Sequence, residues 1–246
     1  MGSRGSSSAA ARLIVTAVGA AAAAYGAYVV TTWMRYGRPA PPPPSDRDDW
    51  LDRLMSRYDV VERHRIEVDA PAAVTLEAAR AMDLSKTSVV RAIFRARELI
   101  MGAERTEHST SRGFVADMEA LGWGKLAEDP NREIVMGGVT KPWVPNPVFR
   151  ALPPDEFSLF DEPDFVKIVF TLRADALGEN RSVFRTETRA VATDVSARGK
   201  FRWYWALLSP GIILIRKAML LPVKREAEQR ARAAHANAIR VAIPVQ

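Results

Sequence analysis

An uncharged stretch of 22 residues, Leu13 to Met34, lies between Arg12 and Arg35 and constrains the chain more than any other feature. As a helix rising ~1.5 Å per residue it would reach about 33 Å, enough to cross a bilayer core roughly 30 Å thick. Tyr25 falls near its middle, an uncomfortable place for a phenol, whereas Trp33 and Tyr36 fall where an aromatic belt lies. Two rival readings exist. Arg4 and Arg12, with Ala22 to Ala24 as a small-residue cleavage site, would suit a cleaved signal peptide, and a buried helix of a soluble domain is the other. The apolar run continues through Tyr28, Val29 and Val30, which favours an uncleaved single-pass anchor.

Gly19, Ala23 and Ala27 lie four apart on one face, a stripe that lets two copies of the helix pair as a homodimer. An alanine-rich helix has small residues on every face, so the stripe is weakly specific. Arg35, Arg38, Arg47 and Arg53 follow the segment, against Arg4 and Arg12 before it, which places the main domain on the cytoplasmic side of the cell membrane. The chain carries 35 basic residues, only seven of them lysine, for a net charge of +6. Such a surface attracts anionic headgroups and nucleic acid alike. The arginines are spread along the chain rather than clustered on one element, so no nucleic-acid partner is expected. The chain has no cysteine, which removes disulfides and thiolate metal sites.

Residues 1–12 read as a tail, 13–34 as the span, 35–57 as linker and short helix, 58–236 as one folded domain and 237–246 as a second tail. Pro39 and Pro41 to Pro44 should form a polyproline spacer of about 20 Å, lifting the domain off the headgroups. Trp50, Leu51, Leu54 and Met55 have helical spacing within Asp46–Tyr58, with Ser45 or Asp46 as the cap. Strands are predicted over Val60–Asp69, Trp123–Ala127, Glu133–Lys141, Phe165–Arg173 and Ser182–Thr193, with turns at Asn131 and at Gly178-Glu179-Asn180. Helices are predicted over Ala72–Ala81, Ser88–Met101 and Ser196–Ala236, and a polar loop over Ala103–Gly113. A strand, a helix pair, an antiparallel meander and a long last helix make an α+β fold, a curved antiparallel sheet on a long C-terminal helix.

Strand parity sorts the faces. Ile134, Met136, Gly138 and Thr140 share one face, as do Val166, Ile168, Phe170 and Leu172, and Phe184, Thr186, Thr188 and Ala190. His64 and Ile66 share the apolar parity of the first strand. The opposite set, Lys167, Arg173, Arg185, Glu187 and Arg189, alternates in sign and reads as cross-strand ion pairs on a solvated face, each worth little.

The run Val60-Val61-Glu62-Arg63-His64-Arg65-Ile66-Glu67-Val68-Asp69-Ala70-Pro71 resembles the first strand of the START-like (SRPBCC, polyketide cyclase and lipid-transfer, Bet v 1-like) superfamily. So does the order of elements after it. Gly122-Trp123-Gly124-Lys125-Leu126-Ala127-Glu128, Arg132-Glu133-Ile134-Val135-Met136-Gly137, Phe184-Arg185-Thr186-Glu187-Thr188-Arg189-Ala190 and Phe201-Arg202-Trp203-Tyr204-Trp205 resemble an uncharacterised bacterial branch. The resemblance covers about Tyr58 to Arg232. It implies a helix-grip fold with an internal cavity, and a membership that includes lipid carriers, hormone receptors and cyclases. With such a cavity, the face sorted by parity would line it, and the residues assigned to it are His64, Ile66, Ile134, Met136, Gly138, Thr140, Ile168, Phe170, Phe184, Thr186, Thr188 and Trp203; the alternative is a filled core in which they pack together.

Nothing points to a catalytic set, a metal site or a cofactor. His64 reads as a core or cavity histidine, His108 lies in a polar stretch and His235 in the tail. Asp161-Glu162-Pro163-Asp164 reads as a solvated turn, and Gly137-Gly138 precedes no helix start that could cradle phosphate. From Phe201 to Val223 the chain is apolar apart from Arg202, Arg216 and Lys217. Those charges and the Ser209-Pro210-Gly211 break argue against a second span. Ser209 would cap a helix restarting at Pro210, and the basic, aromatic-bearing tail could also touch anionic lipid. The expected function is a membrane-anchored, non-enzymatic domain that binds a lipid or other apolar small molecule. A cyclase- or hydrolase-type enzyme with His64 and Thr188 in its cavity is the alternative, as is a structural subunit of a membrane complex.

Overall fold

The computed structural model describes residues 4–83, 91–93, 95, 101–102 and 111–242. Its strands are β1 (Val60–Val68), β2 (Gly124–Asp129), β3 (Glu133–Thr140), β4 (Val166–Gly178) and β5 (Arg181–Ala192). Its helices are α1 (Arg4–Arg35), α2 (Asp49–Leu54), α3 (Ala72–Arg80), α4 (Phe114–Ala120), α5 (Pro154–Leu159) and α6 (Val195–Ala242). The five strands form one antiparallel sheet in the order β1-β5-β4-β3-β2, and the long α6 crosses its inner face. The fold is thus α+β, a curved sheet gripping a C-terminal helix, with an apolar helix before it. The predicted helix over Ser88–Met101 and the polar stretch from Ala103, with His108, fall largely outside the described residues.

The inner face carries the larger core. Ile134, Met136, Phe170, Leu172 and Phe184 of the sheet meet Leu76 of α3, Phe114 of α4 and Met219, Val223 and Ala227 of α6. Fully burying one such large side chain contributes about 1.5–3 kcal/mol. The outer face carries a second core, in which Val135, Val139 and Val169 pack against Leu51 and Met55 beside α2 and Phe157 of α5. Covered on both sides, β3 is buried at every position, which is why Glu133–Thr140 reads as a nearly continuous apolar run.

The outer charged set is therefore not a solvated face. Arg189 is wholly buried, and Arg173, Glu187 and Glu133 nearly so. Register places Arg65, Arg185, Arg173 and Glu133 side by side across four strands. Three adjacent guanidinium groups repel one another, and carboxylates from the segment before α2 answer them. Asp46 pairs with Arg185 and reaches Arg65 at 3.7 Å, and Asp48 lies 3.8 Å from Arg173. Arg63 and Arg173 donate to the carbonyls of Ala40 and Arg47. The proline segment is thus docked on the sheet instead of standing off as a free spacer. The cap of α2 is Asp48, which accepts from the backbone N–H of Trp50 and Leu51, and not Ser45 or Asp46.

Two helices, Arg12–Arg35 and the one over Val195–Ala238, are long and apolar enough to cross a membrane by length and composition. They touch. Tyr25 Oη donates to the Leu207 carbonyl at 2.5 Å, Tyr28 Oη and Ser209 Oγ lie 2.9 Å apart, and Arg202 donates twice to the Trp33 carbonyl. The Trp33 and Trp203 rings stand 4.2 Å apart. These contacts correct the expected break at Ser209. α6 runs through both Pro210 and Pro222 without ending, and hydroxyls of α1 engage it where Pro210 withholds a donor from the helix.

Candidate functional site

Where β1 pairs with β5, the inner face carries polar side chains that, unlike Ser182 with Thr75 and Thr140 with the Val148 carbonyl, lack hydrogen-bond partners among the described residues. Register sets Glu62 beside Thr188, Thr188 beside Phe170, and Phe170 beside Met136; His64 sits beside Thr186. Ile66 and Phe184, on the next inner rung, join the apolar core and fix this face as the inner one. Three buried atoms here, His64 Nε2, Thr186 Oγ1 and Thr188 Oγ1, have no hydrogen-bond partner among the described residues. A buried polar group left unpaired costs about 1–3 kcal/mol. Two neighbouring rungs thus present an imidazole nitrogen and two hydroxyls that no described residue satisfies.

The nearest charges sharpen the chemistry. Burial lowers the His64 pKa from its ordinary value, and the cations of Lys217 and Arg216 on α6 lower it further. The imidazole is therefore neutral near pH 7, with one nitrogen free to accept and the other to donate. Burial raises the Glu62 carboxyl, and Lys217 opposes that shift. Glu62 Oε2 stands 3.5 Å from His64 Nε2 without forming an aligned hydrogen bond. The Arg216 guanidinium lies over the Phe170 ring, 4.7 Å from its centre. A polar corner with an apolar wall suits the head of an amphipathic molecule.

The other sequence-predicted residues divide. Ile134, Met136, Phe170 and Phe184 are wholly buried and close-packed, and Ile66 and Ile168 are partly buried at the edge of that core. Thr140 spends its hydroxyl on the Val148 carbonyl at 2.8 Å, and Gly138 lies against Phe149 and the Arg150 carbonyl. Trp203 does not join them, being 57% exposed and set against Trp33 of α1. Sequence reasoning passed over Glu62, Arg216 and Lys217. Glu62 shares the parity of His64, a signal present in the alternation itself. The two cations required knowing which turn of α6 crosses β1.

A pocket of about 120 Å³ lies chiefly on the outer face, lined by Asp46, Asp48, Arg63, Arg65, Thr171, Arg173, Arg185 and Glu187, with His64 and Thr186 also in its lining. Its arginines already hold carboxylates: Glu187 on Arg63, Asp46 on Arg65 and Arg185, and Asp175 on Arg173. It is a gap within a paired charge network and offers a ligand little.

No family model matches the chain, and no curated protein matches it. Solved structures to which it is similar include the Zhui aromatase/cyclase from Streptomyces sp. R1128, at 18% identity and a TM-score of 0.30, covering 71% of this chain and 97% of that one. A hypothetical protein, jhp0584 from Helicobacter pylori, aligns at 7% identity and a TM-score of 0.36 over 76% of this chain and 99% of that one. Ara h 8.0201 aligns at 10% identity and a TM-score of 0.17 over 64% and 99%. Similarities this remote leave the chemistry to be argued from the residues of this chain.

Proposed function

We propose that this chain is a membrane-anchored, START-like protein that binds a lipid or similar apolar small molecule without transforming it. The polar end of the ligand meets His64, Thr186 and Thr188, and its apolar part lies along Ile66, Ile168 and Phe170. α1 is the anchor, and the arginines that follow it set the folded part on the cytoplasmic side. The observation that carries the reading is the group of three buried polar atoms, without a hydrogen-bond partner among the described residues, on a mostly apolar sheet face. Such atoms are costly in a protein interior and are retained where a bound group satisfies them. The test is native mass spectrometry of the full chain extracted from its host membrane in mild detergent. A lipid or isoprenoid held in stoichiometric amount supports the reading, and repeated recovery of the bare chain overturns it.

One observation favours an enzymatic alternative, the Glu62 carboxylate 3.5 Å from His64 Nε2. That alternative requires the captured molecule to be chemically altered by the wild type and unaltered by a folded His64→Ala variant.

A further inference from the structure

α6 exposes large apolar side chains along one line. Trp203, Leu207, Leu214 and Leu221 are 57%, 44%, 47% and 53% exposed. Their spacings of four, seven and seven residues put them on a single helical face. Lys217 and Arg225, both exposed, share that face, the latter at its C-terminal end. A line of this kind is unusual on a water-facing helix.

Its neighbour says what covers it. α1 exposes Leu13, Ile14, Val15, Val18, Val30 and Met34, and none of its apolar window is buried within the protein. Tyr28 and Tyr25 lie five and eight residues before Trp33, about 7–12 Å along the helix axis from the aromatic level. Their hydroxyls nonetheless reach Ser209 and Leu207 of α6. A bilayer that holds α1 with Trp33 at its interface must therefore hold α6 around Leu207 as well.

We infer that the Trp203–Leu207–Leu214–Leu221 face of α6 lies in the acyl chains of the leaflet that α1 enters, with Lys217 and Arg225 reaching its phosphates, so that the His64–Thr188 site opens onto lipid. The long stems of these cations let apolar neighbours sit deeper while the charge stays at headgroup level. Arg216 and Lys217 then stand where a lipid-like ligand would pass from the leaflet to His64 and Thr188. The inference rests on α1 being the anchor.

The chain has no cysteine, so single-cysteine variants of the full protein carry no background. Val18→Cys, Leu214→Cys and Leu159→Cys, each labelled with an environment-sensitive fluorophore, are reconstituted in phosphatidylcholine–phosphatidylglycerol vesicles containing brominated lipid. Leu159 is 80% exposed on α5 and serves as the aqueous control. Quenching several-fold stronger at Val18→Cys and Leu214→Cys than at Leu159→Cys is the expected result. Quenching at Val18→Cys alone overturns the inference and leaves the anchor standing. Absence of quenching at both overturns the two together. Concentration-dependent disulfide dimers of Leu214→Cys without lipid quenching also overturn it, assigning the face to a second copy of the chain.

Discussion

Arg198 on the first turn of α6 donates to Asp59, the residue that precedes β1, across 2.8 Å. The same carboxylate accepts the Tyr36 hydroxyl and the backbone N–H of Ala192, each at 3.1 Å. One nearly buried acid therefore joins the end of the apolar N-terminal helix, two strands and the C-terminal helix. Burial and the Asp59 charge drive the Tyr36 pKa upward, so the phenol stays a donor. Gly37 makes the turn possible at φ +76°, where an added Cβ would meet the Arg198 guanidinium.

Asp59→Ala leaves the Tyr36 hydroxyl and the Ala192 N–H without their acceptor, at about 1–3 kcal/mol for each buried donor. The variant should unfold at lower denaturant concentration than the wild type in detergent. Adding Tyr36→Phe removes one orphan, and the double variant should lose less than the sum of the two single changes. Additive losses would mean that the two side chains do not act through this bond.

Arg189 is wholly buried and donates to Glu187 and Asp52 at 2.7 Å and to the Met55 carbonyl at 3.0 Å. Its guanidinium also lies over the Tyr58 ring. Arg189→Ala strands Glu187 in the interior with only Arg63 for company and should cost about 3–5 kcal/mol, as for other broken buried pairs. A thermal scan showing a change under about 1 kcal/mol, the usual worth of a surface pair, would return this network to the solvent-facing status that the sequence implies.

Glu133 is pushed up to about 8 by burial and by a shared hydrogen bond and charge repulsion with Asp48, against the Thr171 hydroxyl and Arg173, which lower it. Its folded pKa lies above its unfolded one, so its contribution to stability is complete below pH ~4.5 and lost as pH rises through about 8. Denaturation of the wild type across that window should show stability falling relative to Glu133→Gln, whose side chain does not titrate. Parallel curves for the two proteins would contradict this.

Alternation along the strands made much of this legible. Parity placed His64, Ile66, Thr186 and Thr188 with Ile134, Met136, Phe170 and Phe184 on one face, where the register puts them. Parity also put Arg173, Glu187 and Arg189 on the other face, but alternation says only which way a residue points and nothing of what lies above it. The covering pieces were hard to see. α5 sits among prolines at Pro153 and Pro154, and α2 docks through Leu51 and Met55 onto Val135, Val139 and Val169, roughly 80 to 120 residues later. Tyr25 was the unused clue to the helix pair, since a phenol deep in an apolar span needs an acceptor, and that acceptor is the Leu207 carbonyl.

Thr186→Val and Thr188→Val each replace a buried hydroxyl that has no hydrogen-bond partner among the described residues by a methyl group of nearly the same shape. Without ligand the double variant should be more stable than the wild type, by about 1 kcal/mol per site. An increase in the detergent melting temperature with the sheet intact is the expected outcome. A decrease would show that the hydroxyls are satisfied within the protein.

The most direct measurement of the central claim compares what stays bound. Native mass spectra of the wild type and of Thr186→Val/Thr188→Val, purified identically from the host membrane, should show a small molecule retained by the first and lost from the second, although the second is the more stable protein. Equal retention by both, or a bare wild-type chain, would contradict a ligand site at His64, Thr186 and Thr188.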